Sequence, residues 1–135
     1  MMDTAVPLNL DVRGDSDAIV AAEQQLQAQL EAAGLPSMVV SRAVLVLEEV
    51  VLNACRHGGA PMVSVGVELA ERGCRLVFED AGTPFDPLAG QFSDFAPAHI
   101  DDVGGRGLLL IRRSATRSRY EHAGGRNRLI LDFHD

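Results

Sequence analysis

The sequence predicts an α+β fold, a two-layer α/β sandwich in which helices cover one face of a mixed, mostly antiparallel sheet. Three observations predict it. Runs of alternating apolar and polar residues occur in pairs joined by short glycine-containing turns, as neighbouring antiparallel strands require. Two long segments with apolar residues at helical spacing separate the first such run from the others. The chain has 135 residues, 47% of them hydrophobic. That suits a single domain over residues 1–135, with a core large enough to need no disulfide or metal.

Each element has its own local cause. Val6, Leu8, Leu10 and Val12 alternate along a first strand, Val6 to Val12. Gly14-Asp15-Ser16 breaks it and offers a helix N-cap. From Asp17 to Ala33, the residues Ile19, Ala22, Leu26 and Leu30 recur at helical spacing, and Gly34 ends that helix. Pro36 suits the first turn of a second helix, running to about His57. Val39, Val40, Ala43, Leu47, Val50, Val51 and Ala54 make much of its surface apolar, so it is expected to lie against the sheet. Gly58 to Pro61 is a turn. Met62 to Ala70 and Cys74 to Asp80 are partner strands around the hairpin loop Glu71-Arg72-Gly73. Ala81 to Val103 reads as a long functional loop. Gly104-Gly105-Arg106-Gly107 then opens a helix over Leu108 to Ser114. Strands at Thr116 to Glu121 and Asn127 to Phe133 flank the turn Ala123-Gly124-Gly125. The predicted order is β-α-α-β-β-loop-α-β-β.

Composition excludes some functions. The formal net charge is −7, which argues against direct nucleic-acid binding, because that needs Lys and Arg to neutralise phosphates. All 12 basic residues are Arg, and seven of them fall between Arg106 and Arg128, where a solvated surface or a local basic face would both fit. Cys55 and Cys74 stand among apolar neighbours and read as core thiols. His57, His99, His122 and His134 lack metal-ligand spacing. Neither a membrane span nor a signal peptide is visible, so a cytoplasmic location is expected.

Three constellations carry candidate chemistry. Glu49 and Asn53 are four residues apart and share a helical face. The Asn oxygen could ligate Mg²⁺ together with triphosphate oxygens, and the carboxylate could take a proton from a nucleophile. Glu48 points about 100° away. Asp80-Ala81-Gly82-Thr83-Pro84-Phe85 follows a strand. There Asp80 could accept a hydrogen bond from an exocyclic amino group such as adenine N6, and Gly82 permits close approach to a flat ring. Gly104, Gly105, Arg106, Gly107 and Leu108 open a helix, and their exposed N–H groups could cradle a triphosphate. Each constellation alone also fits a plainer reading: surface polar residues, a β-turn, a glycine-rich turn. The last is neither a P-loop nor a dinucleotide fingerprint, since no Lys-Ser/Thr follows it and no strand precedes it.

Taken in order, Leu47 to Ala54 with His57, Asp80 to Phe85, Gly104 to Leu108 and the tail Gly125 to Leu129 resemble the Bergerat-fold (GHKL) ATPase superfamily. Within it, the chain looks like the short anti-sigma-factor serine kinases. The resemblance covers nearly the whole chain. It implies ATP and Mg²⁺ as cofactors, Glu49 as general base and Asn53 as the Mg²⁺ ligand. It also implies that Asp80 reads adenine, with Gly82 beneath the ring and Phe85 beside the nucleotide. Gly104, Gly105, Arg106, Gly107 and Leu108 would hold phosphates, and residues 90–103 would form an ATP lid. The implied partners are a small STAS-type anti-sigma-factor antagonist, phosphorylated on serine, and a sigma factor that the protein sequesters; a homodimer is compatible with it.

The sequence departs from the family pattern at four places. Pro84 replaces a second glycine of the wider superfamily, Val103 stands where kinase members carry an Arg, Ile130 stands where a Thr near adenine is common, and Thr116-Arg117 replaces an acidic pair. Val103 leaves open an alternative, a nucleotide-dependent binding module without transferase activity. A histidine-kinase catalytic domain is disfavoured, because no dimerisation helix pair is visible ahead of it.

Overall fold

The computed structural model describes residues 8–88, residue 111 and residues 113–135. Its elements are β1 (Leu8–Arg13), α1 (Ser16–Ala32), α2 (Ser37–His57), β2 (Met62–Ala70), β3 (Gly73–Asp80), β4 (Arg117–Ala123) and β5 (Arg126–His134). Ile111, Arg113 and Ser114 are helical, at the end of the helix expected over Leu108 to Ser114. Val6, the lid at residues 90–103 and the glycine box at Gly104 to Leu108 lie outside the described residues.

The strands form one sheet in the order β1-β2-β3-β5-β4. The expected sheet was mixed and mostly antiparallel; every pairing among the described strands is antiparallel. Alternation along the strands separates the two faces. Val63, Val65 and Val67 on β2, Leu76 and Phe78 on β3, and Leu129, Leu131 and Phe133 on β5 are all buried. The helices pack over this face, with α2 touching β1, β2, β3 and β5 and α1 laid against α2 and β1. The opposite face carries polar cross-strand pairs, as a half-solvated antiparallel sheet does. Arg75 grips Asp132 through two hydrogen bonds of 2.7 and 3.2 Å, Arg128 meets Glu79 at 3.2 Å, and Ser64 donates to Asp11 at 2.9 Å.

Local chemistry sets the helix ends. The Asp15 carboxylate accepts the N–H of Ala18 at 2.8 Å, capping α1. Its buried stripe is Ile19, Ala22, Leu26 and Leu30, and Gly34 leaves the helix at φ 76°. Pro36, expected inside the first turn of α2, instead occupies the cap position, with its carbonyl accepting from Val40 N at 3.1 Å. Arg56 and His57 stand in the last turn, where positive charge suits the helix dipole. The β4–β5 hairpin turns on Gly124 and Gly125, both at positive φ (62° and 76°). That is the conformation a two-residue hairpin of this twist demands.

Both cysteines are free thiols. Burial pushes Cys74 up to about 12 and raises Cys55, so both remain protonated at neutral pH, as core thiols should. Among the described residues no helix is long and apolar enough to cross a membrane.

Leu47 of α2 is fully buried. Leu47→Ala is expected to cost about 2–5 kcal/mol of stability in urea unfolding, from lost burial and the cavity left behind. A cost below about 1 kcal/mol would show that the helix does not pack on the sheet as described.

Candidate functional site

The end of α2, the end of β3 and the start of β5 meet at one edge of the sandwich. There Val50, Asn53, Asp80, Phe85, Tyr120 and Asn127 line a hollow whose apolar wall is Phe78, Leu129 and Ile111. Antiparallel pairing of β3 with β5 sets Asp80 directly across from Asn127 and Phe78 across from Leu129.

Asp80, only 8% exposed, anchors the loop that follows it. Its Oδ1 accepts from Gly82 N at 2.8 Å and from Asn127 Nδ2 at 3.0 Å. The next turn is tied to the end of α2, because Thr83 donates to the Gly58 carbonyl from its backbone N (2.9 Å) and its hydroxyl (3.2 Å). This brings Gly82 so close that a Cβ there would sit 2.5 Å from the Gly58 oxygen. The glycine is therefore required by backbone approach to α2, and its φ is not in the left-handed region. Phe85 N donates to Tyr120 Oη at 3.2 Å and to Asn127 Oδ1 at 3.3 Å, and the Phe85 ring stacks on His57 with centroids 5.4 Å apart.

On α2, the side-chain amide of Asn53 donates to the Glu49 carbonyl at 2.6 Å. Its nitrogen is thereby committed to its own helix, and among the described residues its oxygen receives no hydrogen bond, at a residue only 4% exposed. Such an oxygen can ligate a hard cation alongside phosphate oxygens. No cluster of three or more His, Cys, Asp or Glu side chains suited to a metal occurs among the described residues. The Glu49 carboxyl is raised above its ordinary value, chiefly by burial, then by the charge of Glu48, while Arg56 pulls it down. Glu48 diverges from Glu49 as the helical spacing requires and stands near Glu23 of α1, whose carboxyl is raised chiefly by burial and then by that neighbour.

The structure thus brings Asn53, Asp80 and Phe85 to one hollow. Gly82 lies in the turn behind it, and Glu49 stands one helical turn from Asn53, outside the lining. Gly104, Gly105, Arg106, Gly107 and Leu108 lie outside the described residues. Three contributors were not singled out from the sequence: Tyr120, Asn127 and the Gly58 carbonyl. Ile130, marked as the departure near adenine, is not in the lining of the hollow; it pairs with Val77 on the other face of the sheet from Leu129 and Leu131 and is itself buried. The polar last-strand residue at the hollow is Asn127, beside the apolar Leu129, and the signal that could have found it is its place two residues after Gly125 in the final hairpin.

A family model described as a histidine kinase-like ATPase domain matches residues 12–133. Among solved structures, one containing the RsbU and RsbW domains of Rv1364c from Mycobacterium tuberculosis aligns over 96% of this chain, with a TM-score of 0.68 and 20% identity. This chain spans only 32% of that one. The SiaB–SiaC complex from Pseudomonas aeruginosa aligns over 93% of this chain and 88% of its counterpart, with a TM-score of 0.61 and 13% identity. At these identities the likeness establishes a shared fold. No curated protein matches the chain.

Two predictions come from this geometry. Gly82→Ala is expected to displace the Asp80 loop from α2, since the added methyl meets a backbone oxygen that cannot rotate away. Loss of the Gly58–Thr83 contacts should show as faster hydrogen exchange at Thr83, and an unchanged rate there would contradict the close approach. For Glu49, the raised carboxyl means that folding favours the protonated form. Relative to Glu49→Gln, the wild type should therefore lose stability as pH rises from below 4.5 through the raised value. Urea midpoints of both proteins in acid and at neutral pH test the sign, and a wild type that gains on the variant with rising pH would refute it.

Proposed function

The chain belongs to the histidine kinase-like ATPase domain family, and from that premise we propose that it binds Mg·ATP and acts as an anti-sigma regulatory factor with protein serine kinase activity. The observation that carries the reading is the presence, in the lining of one hollow, of a buried carboxylate residue and a buried amide residue, Asp80 and Asn53. A carboxylate at the end of a strand suits an adenine amino group, and guanine, with a carbonyl there, would leave it unpaired at a cost of about 1–3 kcal/mol. An oxygen presented by a tied amide suits Mg²⁺.

In this reading Asp80 accepts the N6 amino group and Asn53 ligates Mg²⁺, which when bound neutralises triphosphate charge. Glu49 takes the proton from a serine hydroxyl of the acceptor protein. That oxygen forms the new bond to the γ-phosphorus while the bond to the β–γ bridging oxygen breaks, and ADP leaves. A raised carboxyl favours this role, because the stronger base takes the proton more readily. The acceptor is an anti-sigma-factor antagonist of the STAS type, and a sigma factor is the second partner, held or released as the antagonist is phosphorylated. The proposed setting is cytoplasmic. The alternative, a nucleotide-dependent binding module that transfers no phosphate, is favoured by Val103 in place of an Arg ahead of the glycine box.

The two residues of α2 separate these readings. Asn53→Ala should weaken Mg·ATP binding itself. Glu49→Gln should keep ATP affinity within a few-fold and lose roughly 10²–10⁴-fold in phosphate transfer. The assay combines wild type or variant with radiolabelled Mg·ATP and a co-encoded antagonist protein. Absence of label with wild type, in a preparation that binds ATP, would leave the binding module in place of the kinase.

A further inference from the structure

Asn127 is 5% exposed, and its side-chain amide is surrounded by partners of opposite kinds on its two ends. Around Nδ2 stand three acceptors: Asp80 Oδ1 at 3.0 Å, the Thr83 carbonyl at 2.9 Å and the Gly82 carbonyl at 3.3 Å. Around Oδ1 stand two donors, Phe85 N at 3.3 Å and the Tyr120 hydroxyl. A flipped amide would set an oxygen against three acceptors and a nitrogen against two donors. The orientation of this side chain is therefore dictated by the donor and acceptor inventory.

That orientation has a consequence for Asp80. Gly82 N and Asn127 Nδ2 both bind Oδ1. Among the described residues Oδ2 receives no hydrogen bond, so one carboxylate oxygen is committed to the protein and the other is left for a ligand. Tyr120 reaches the network from β4, where it pairs with Leu129, the strand neighbour of Phe78. Its hydroxyl donates to Asn127 and accepts from Phe85, joining the amide to the far end of the loop.

We propose that Tyr120 and Asn127 are positioning residues that set the base selectivity of the hollow, by holding the Asp80 carboxylate with a single oxygen presented to a purine amino group. This rests on the reading of Asp80 as the adenine acceptor. A carboxylate released from the amide can turn, hydrate and meet a 6-oxo purine with less penalty, so discrimination falls even where binding persists.

The test is the ratio of Mg·ATP to Mg·GTP affinity, measured by calorimetry on wild type, Tyr120→Phe and Asn127→Asp, with folding checked by circular dichroism. Tyr120→Phe keeps the ring and removes one hydroxyl. Its ratio should fall roughly 3–10-fold, about the effect of one hydrogen bond. Asn127→Asp keeps the shape but turns the donor end into an acceptor facing Asp80, and its ratio should fall at least about 10-fold. A purely structural role would weaken both nucleotides alike and leave the ratio unmoved. Unchanged ratios in folded variants, with wild type preferring ATP, overturn the positioning role and leave the Asp80 reading standing. A wild type that binds ATP and GTP equally overturns the Asp80 reading and the positioning role together. If Asn127→Asp does not fold, Tyr120→Phe decides by itself.

Discussion

The side-chain amide of Asn127 is the point at which four parts of the chain are joined at the hollow. It bridges the end of β3, the turn at Gly82 and Thr83, the backbone of Phe85 and the hydroxyl of Tyr120. Burying the Asp80 carboxylate would be costly without compensation, and a carboxylate near nine-tenths buried needs donors. Gly82 N and Asn127 Nδ2 supply them. The same network that makes burial of Asp80 tolerable also fixes the orientation of its carboxylate at the hollow. Satisfied polar networks of this kind rigidify a site, whereas partial satisfaction would leave each orphaned group costing about 1–3 kcal/mol.

The helix α2 serves both the core and the site. Val39, Val40, Ala43, Leu47, Val50 and Val51 fill the space above the sheet. Asn53 is the polar residue of the helix that shares their burial, and its nitrogen is satisfied by the carbonyl one turn back. The polar positions flanking it face different neighbours. Glu48 turns to Glu23 on α1, and Glu49 is left half-buried beside Arg56, with its carboxyl raised. Beyond the last turn, the Gly58 carbonyl receives both Thr83 donors, so the end of the helix is joined to the loop that carries the second half of the site. A displacement of α2 would move Asn53 and the Asp80 loop together.

The outer face of the sheet shows a different economy. Its ion pairs, Arg75 with Asp132 and Arg128 with Glu79, are cross-strand neighbours in the register and stand in solvent-facing positions. Hydrogen bonding to Arg75 holds the Asp132 carboxyl below the usual range, against the opposing effect of its partial burial. Exposed pairs of this type contribute little to stability. They keep this sheet face polar, and one of the late Arg residues visible in the sequence, Arg128, lies there rather than at the hollow.

Much of this protein was determined by sequence alone, wherever the cause is local. Periodicity of apolar residues set the elements, Asp15 and Gly34 bounded the first helix, and Gly124 with Gly125 fixed the last turn. Helical spacing set Glu49 and Asn53 one turn apart on α2, and the strand-ending Asp80 with its Gly82 turn was readable as a candidate site. Tertiary structure decided the rest. The placement of β5 between β3 and β4 sets Asn127 across from Asp80, partners 47 residues apart. No local pattern encodes that register, because it follows from which faces the strands must bury against α2. The need for glycine at position 82 likewise comes from the Gly58 carbonyl 2.5 Å from where a Cβ would be, a contact between segments that the sequence separates by a complete hairpin. The rise of the Glu49 carboxyl is tertiary in its main cause, since spacing fixes its direction on the helix but only packing removes its water.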